Sequence, residues 1–252
     1  MKEEQDRSNF KGADWARLLK DQPQFADQCD WRKLKGTDWA ELLAAQPQFA
    51  DQCDKWDKFR SVDWVGLLTV HPQFADKCNW DKLSGAGWGN LLSAHPEFAD
   101  KCDWSKLSVA AWVTLLEKQP QFADKCDKWE KIYYIDWCRL LAAQPQFADK
   151  CDSWHVFGTE DWSNLLGAQP QFARKCGEWD KFTGWNWVYL LAAQPQFADK
   201  CDKWGELEGR HWANLLAAQP QFADKCVWSK LDGNDWAFLL TFQPQFADKC
   251  DK

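Results

Sequence analysis

Residues 39–53 read WAELLAAQPQFADQC, and residues 64–78 repeat the phrase as WVGLLTVHPQFADKC. The same frame returns in ten copies at a pitch of 24 or 25 residues, and its proline position accounts for all ten prolines of the chain. Self-similarity at this period is the signature of a solenoid, whose units are too small to bury an apolar face alone and stack on their neighbours. The reading predicts an all-α, right-handed solenoid of about ten coils. It forms a single array over residues 1–252: a partial unit 1–29, then 30–53, 54–78, 79–102, 103–126, 127–151, 152–176, 177–201, 202–226 and 227–250.

Within the quoted copy, Asp38 precedes Trp39, Leu42 and Leu43, apolar at i, i+3 and i+4. That spacing predicts a short amphipathic helix with Asp38 as its N-cap and Gly36 in the turn before it. Asp or Asn holds the cap position in seven of the ten copies. Pro47 ends the helix at Gln46, since it disfavours α geometry in the preceding residue, and it is well placed to open a second short helix. There Phe49, Ala50 and Cys53 face inward and Gln48, Asp51 and Gln52 outward; one kinked helix is the alternative. Some copies carry an extra residue after the cysteine, as in Asp54-Lys55-Trp56 against Asn79-Trp80. Inside a helix one residue would rotate everything beyond it by about 100°, so this point is a junction. The following Trp80–Leu83 segment has the length of one 3₁₀ turn. This pitch and alternation of helix types resemble the leucine-rich-repeat-variant class of α-solenoid; that class lacks the Trp/Cys frame, and the resemblance transfers no functional residue.

Twenty tryptophans supply the core. One column is headed by Trp15 and Trp39 and a second by Trp31 and Trp56, joined by the Leu-Leu pairs and rings such as Phe25; each large aromatic buries ~150–250 Å². Every buried indole N–H needs an acceptor, which the sequence does not identify. Ten of the eleven cysteines share one repeat position. Helices packed ~8–10 Å apart place such a column beyond the ~7 Å reach of a disulfide. The thiols are therefore expected to be free, buried apolar groups in a reducing compartment, the cytoplasm being the simplest. Cys138, the eleventh, follows Trp137 where other copies carry small residues, which points to a tight contact with the next coil; a reactive thiol is the alternative.

The net charge of -7 disfavours nucleic acid,, and no apolar run reaches the ~18 residues of a membrane span. His71 and His95 replace the glutamine before proline, while His155 and His211 stand alone. With no paired nucleophile, metal-ligand spacing or phosphate loop, the expectation is no enzyme, no cofactor and no metal.

Differences between copies separate frame from variation. Two residues after the first Trp they read Arg17, Glu41, Gly66, Asn90, Thr114, Arg139, Asn164, Tyr189, Asn214 and Phe238. Two before it they read Ala13, Thr37, Val62, Ala86, Ala110, Ile135, Glu160, Trp185, Arg210 and Asn234, and four before it Lys11, Lys35, Arg60, Ser84, Ser108, Tyr133, Gly158, Thr183, Glu208 and Asp232. The exposed Gln and Asp of the second segment barely change. With a helix starting at its Trp, the position two after faces solvent and the upstream positions line its approach. Stacking turns them into a ribbon, and a binding scaffold for a peptide or protein is predicted. The candidate contact residues are Arg17, Glu41, Asn90, Thr114, Tyr133, Arg139, Asn164, Trp185, Tyr189, Arg210, Asn214 and Phe238, the aromatics and arginines being the usual anchors. Glycan stacking is a less specific alternative. A second reading is a structural or self-assembling repeat, or a consensus-type designed solenoid, with no specific ligand. Asp-to-Lys pairs between adjacent coils would then hold the constant face. The last coil, with Phe246 and Cys250, has no following unit, so end-to-end self-association is expected there, whereas Asp6–Phe10 gives the first coil a polar partial unit.

Overall fold

The computed structural model describes Arg7 and residues 9–250, and each coil after the first consists of one α-helix and two 3₁₀ segments, with no strand among the described residues. The α-helices are α1 (Gly12–Asp21), α2 (Gly36–Ala45), α3 (Ser61–Val70), α4 (Gly85–Ala94), α5 (Val109–Lys118), α6 (Tyr134–Ala143), α7 (Thr159–Ala168), α8 (Gly184–Ala193), α9 (Gly209–Ala218) and α10 (Gly233–Phe242), followed by a last turn, α11 (Ala247–Cys250). Two compact units emerge, Met1–Lys128 carrying α1–α5 and Trp129–Lys252 carrying α6–α11. Each is a short all-α solenoid in which successive helices pack side by side.

The break at proline is real: Gln46 (φ -134, ψ 73) leaves the helical region while its N–H closes the helix on the Leu42 carbonyl, so the kinked-helix alternative fails. The second segment, Pro47–Gln52, winds as a 3₁₀ helix with Cys53 buried and Gln48, Asp51 and Gln52 exposed, as its spacing predicts. The one-turn segment is also 3₁₀, for example Trp80–Lys82.

The first helix starts three residues earlier than expected. Its N-cap is the Lys35 position and Asp38 is the third helical residue, reaching back to accept the Lys35 N–H at 2.8 Å. Asp14, Asp63 and Asp161 do the same for Lys11, Arg60 and Gly158. Gly36 is therefore not a turn residue but the first helical one, and its smallness serves packing: a Cβ there would lie 2.7 Å from the Lys58 carbonyl oxygen of the next coil.

Both tryptophan columns form as read. Trp39 is fully buried, and Trp31 stacks on it at 5.2 Å and 15° while tilting against Phe49. The triad recurs in every later coil, as in Trp104, Trp112 and Phe122. In the first coil Arg7 holds the place of the second-column Trp, its guanidinium 4.1 Å above the Phe25 ring, a cation–π contact in place of indole stacking,. Asp6 and Ser8 lie outside the described residues. The Leu-Leu pairs of the internal coils are also sealed, at ~1.5–3 kcal/mol for each such side chain buried. The indole acceptors are mostly missing: the Nε1 groups of Trp15, Trp39, Trp64, Trp88, Trp112, Trp137, Trp187 and Trp212 are buried without a hydrogen-bond partner.

What joins coil to coil is the residue before proline. Gln46 Nε2 donates to the Lys20 carbonyl at 2.7 Å, and Gln119 to Ser93; in the second unit Gln169, Gln194, Gln219 and Gln243 donate to Ala142, Gly167, Ala192 and Ala217. Each donor satisfies a carbonyl at the C-terminal end of the previous helix, where no intrahelical partner exists. His71 and His95 keep the rung through Nε2, to Ala44 and Thr69, each at 3.1 Å. Lysines add a second set of links: Lys106 Nζ donates to the Asp81 carbonyl, and the inserted Lys203 to Asp180 and Phe182. The ion pairs on the constant face join sequence neighbours, Asp76–Lys77 and Asp100–Lys101, rather than adjacent coils as expected.

Candidate functional site

Because the first helix starts at Gly36 rather than Trp39, the position two before the Trp is helical and lies four residues ahead of the position two after it. Residues i and i+4 share a helix face. The two variable columns expected to be a loop and a helix are thus one face: Ile135 with Arg139, Glu160 with Asn164, Trp185 with Tyr189, Arg210 with Asn214. Trp185 and Tyr189 ring centroids are 6.0 Å apart, and Asn214 Nδ2 donates to the Arg210 carbonyl at 2.7 Å. Phe238 and Phe242 continue the pattern at 5.1 Å.

The face is solvent-accessible throughout. Arg17, Glu41 and Asn90 are exposed in the first unit and Thr114 is half-buried; in the second, Tyr133, Arg139, Asn164, Tyr189, Arg210 and Phe238 are exposed, with Trp185 and Asn214 half-buried. Exposed large apolar side chains are unevenly divided. The first unit has Val62 and Val70, whereas the second presents Tyr133, Tyr134, Ile135, Tyr189, Phe238 and Phe242 among others.

Part of the sequence variation has a structural cause that the sequence did not disclose. The position four before the Trp is the N-cap. Where the third helical residue lacks a side-chain acceptor, at Gly87 and Ala111, the cap becomes Ser84 and Ser108, whose Oγ atoms accept those N–H groups at 3.1 and 3.3 Å. Where the third residue is Asp, the cap is free to be Lys, Arg or Gly. Tyr133, a candidate contact, sits at this cap position with no side-chain cap bond.

A second coupled pair sets the spacing between neighbouring helices. The residue after the Trp meets the third helical residue of the next coil: a Cβ on Gly89 would lie 2.9 Å from the Ala111 carbonyl oxygen, and Ser163 Oγ accepts from Asn186 Nδ2 at 3.3 Å. Cys138 belongs to this set. Burial pushes its thiol pKa up, and the Asp161 carboxylate beside it pushes it further. An activated thiol needs the opposite environment, which argues for the tight-contact reading over the reactive-thiol alternative.

Two troughs flank α7. One, of about 690 Å³, lies between α6 and α7 and is lined by Ile135, Arg139, Glu160 and Asn164 among others. The other, about 560 Å³, lies between α7 and α8 beside Trp185 and Tyr189 and shares Glu160 and Asn164. Under Trp185 is His211, 7% exposed, its ring edge-on at 4.7 Å. Its Nδ1 accepts the Glu208 N–H at 3.1 Å, the service Asp gives elsewhere, and desolvation lowers its pKa.

All eleven cysteines are free. Burial raises Cys29, Cys78, Cys102 and Cys226 to about 12 and Cys53, Cys151 and Cys201 to about 11. Among the described residues no three His, Cys, Asp or Glu side chains group as a metal site, and no helix is long and apolar enough to cross a membrane. The i, i+4 pairing was missed for want of the true helix start. The signal was present in the exchange of Ser84 and Ser108 against Gly87 and Ala111. No protein-family model, curated protein or solved structure matches this chain.

Proposed function

We propose that this protein is a non-enzymatic binding scaffold that captures a peptide or protein segment on the variable face of its α-helices. The observation that carries the reading is the contrast between two exposed surfaces. The Gln/Asp surface of the 3₁₀ segments is nearly invariant from coil to coil, while the helix face bearing Arg17, Glu41, Tyr189 and Phe238 differs in every coil. Capping and inter-helix spacing account for variation at the positions four before, one before and one after the Trp, and, apart from the Trp185 ring over His211, do not account for variation on that face. Exposed aromatic side chains supply large contact area at low entropic cost, and arginines pair with backbone and carboxylate groups. The exposed aromatics concentrate on the second unit, on α6, α8 and α10.

The test is capture by the full chain compared with a Tyr189→Ala, Phe238→Ala double variant. Both side chains are exposed, so helicity by circular dichroism should be unchanged while capture is lost. Undiminished capture by the double variant rejects the reading.

A further inference from the structure

The two troughs beside α7 make a pattern with a length in it. Glu160 and Asn164 line both, so the outward face of α7 is a polar ridge with a trough on either side: Ile135 and Arg139 wall one on the α6 side, and the Trp185 and Tyr189 rings wall the other on the α8 side, beside the polar Thr183 and Asn186. Packed helices lie ~8–10 Å apart, so a ligand crossing α7 must present apolar groups at about that interval. In a β-strand, side chains on one side recur at about 6.8 Å, two residues of ~3.4 Å. In a polyproline II helix, with three residues per turn of ~3.1 Å rise, one edge recurs at about 9.3 Å. An α-helical ligand would lay its intervening i+3 and i+4 apolar row on the polar ridge. Of the extended conformations, the polyproline II period matches.

Charge and hydrogen bonding agree with that choice. The Glu160 carboxylate has no ion pair among the described residues and stands between the troughs in a chain of net charge -7, which favours a cationic segment,. A polyproline II backbone leaves its carbonyls unbonded, and the Asn164 amide on the ridge is placed to donate to one. Aromatic-lined grooves are a recurrent solution for proline-rich segments because that helix is preformed and loses little entropy on docking.

We propose that α6, α7 and α8 form the docking groove for a basic, proline-rich segment of a partner protein, bound as a polyproline II helix with one apolar side chain against Ile135, the next against the Trp185 and Tyr189 rings, and a cationic side chain on Glu160. This rests on the scaffold reading above and specifies its ligand.

The experiment is fluorescence anisotropy of the full chain with a labelled proline-rich peptide carrying two leucines three residues apart and one arginine between them. Saturable binding is expected, weakened about tenfold or more by Tyr189→Ala or Ile135→Ala. Glu160→Lys should weaken the arginine peptide and strengthen its arginine-to-glutamate counterpart. Equal binding of a peptide with leucines two apart, no saturable binding, or indifference to Glu160→Lys overturns the proposal. Selection of a random displayed-peptide library on the full chain separates this from failure of the scaffold reading. Selected sequences that depend on Tyr189 but are not proline-rich sink only the polyproline assignment. Selection unaffected by the Tyr189→Ala, Phe238→Ala variant sinks both.

Discussion

His95 and Glu97 form the one pair in the proline frame that departs from glutamine at both positions, and they departed together: His95 Nδ1 lies 2.8 Å from Glu97 Oε1. In seven other coils the second glutamine donates to the first, as Gln48 does to Gln46 at 2.7 Å. A carboxylate cannot donate, so its partner must, and His95 does so when protonated while Nε2 keeps the rung to the Thr69 carbonyl. That carbonyl raises the His95 pKa above the ordinary 6.5, with burial opposing the shift and Glu97 adding to it. A raised folded pKa means stability fully present below the unfolded value and lost as pH rises through the folded one. Urea unfolding followed from pH 6 to 9 should therefore show a loss of stability that the His95→Gln, Glu97→Gln double variant removes. An unchanged slope in that variant counts against the pair.

His211 should act in the opposite direction. Its Nδ1 accepts the Glu208 N–H, which only the unprotonated ring can do, and desolvation lowers its pKa below 6.5, with Glu208 opposing and Arg210 adding to the effect. Protonation then favours the unfolded chain. Stability is complete above about 6.5 and declines as pH falls through the lowered folded value,. His211→Asn keeps an acceptor, as Asn186 does for Thr183 at 2.9 Å, and should flatten the acid limb of the urea midpoint. Retention of the acid limb by this variant would count against His211 as its source.

The same repeat position gives opposite expectations for Gly85 and Gly233. A Cβ on Gly85 would overlap the Lys106 carbonyl oxygen of the next coil, a backbone atom that cannot swing away, whereas nothing lies within 4 Å of Gly233. Both open a helix, where alanine is favoured over glycine by up to ~1 kcal/mol. Gly233→Ala should raise the thermal midpoint slightly and Gly85→Ala should lower it by an amount corresponding to ~1–3 kcal/mol of overpacking. Equal effects would mean that the two coils do not differ in this contact.

The coil architecture was legible because its signals are local and repeated tenfold: Pro47 breaks the backbone wherever it stands, and the Trp39, Leu42, Leu43 spacing defines one apolar face. The helix start was misread because an aspartate before an apolar row satisfies the N-cap rule and the third-residue rule equally well. Only the partner of its carboxylate, the Lys35 N–H, distinguishes them. The glutamine rungs were hidden for another reason: Gln46 binds a main-chain carbonyl of residue 20, and a backbone acceptor leaves no trace in side-chain identity. The candidate surface was found by comparing copies, but its two columns merge into one face only after the helix start is corrected.

Cysteine chemistry offers a test of the dry column itself. Cys250 is exposed on α11, whereas Cys53, Cys126, Cys151, Cys176 and Cys201 are buried. The thiolate is the alkylating species, and burial holds Cys53, Cys151 and Cys201 at about 11, far above neutral pH. Iodoacetamide at neutral pH, read by mass spectrometry, should label Cys250 first and the column at least about a hundredfold more slowly, with all sites equalised in denaturant. Cys138 should belong to the slow class despite its place outside the column. Asp161→Asn removes a carboxylate that raises its pKa but leaves burial, the larger cause, so labelling of Cys138 should stay slow in that variant. Labelling of native Cys138 at the rate of Cys250 would mean that α6 and α7 are not packed as tightly as the Cys138–Asp161 contact requires.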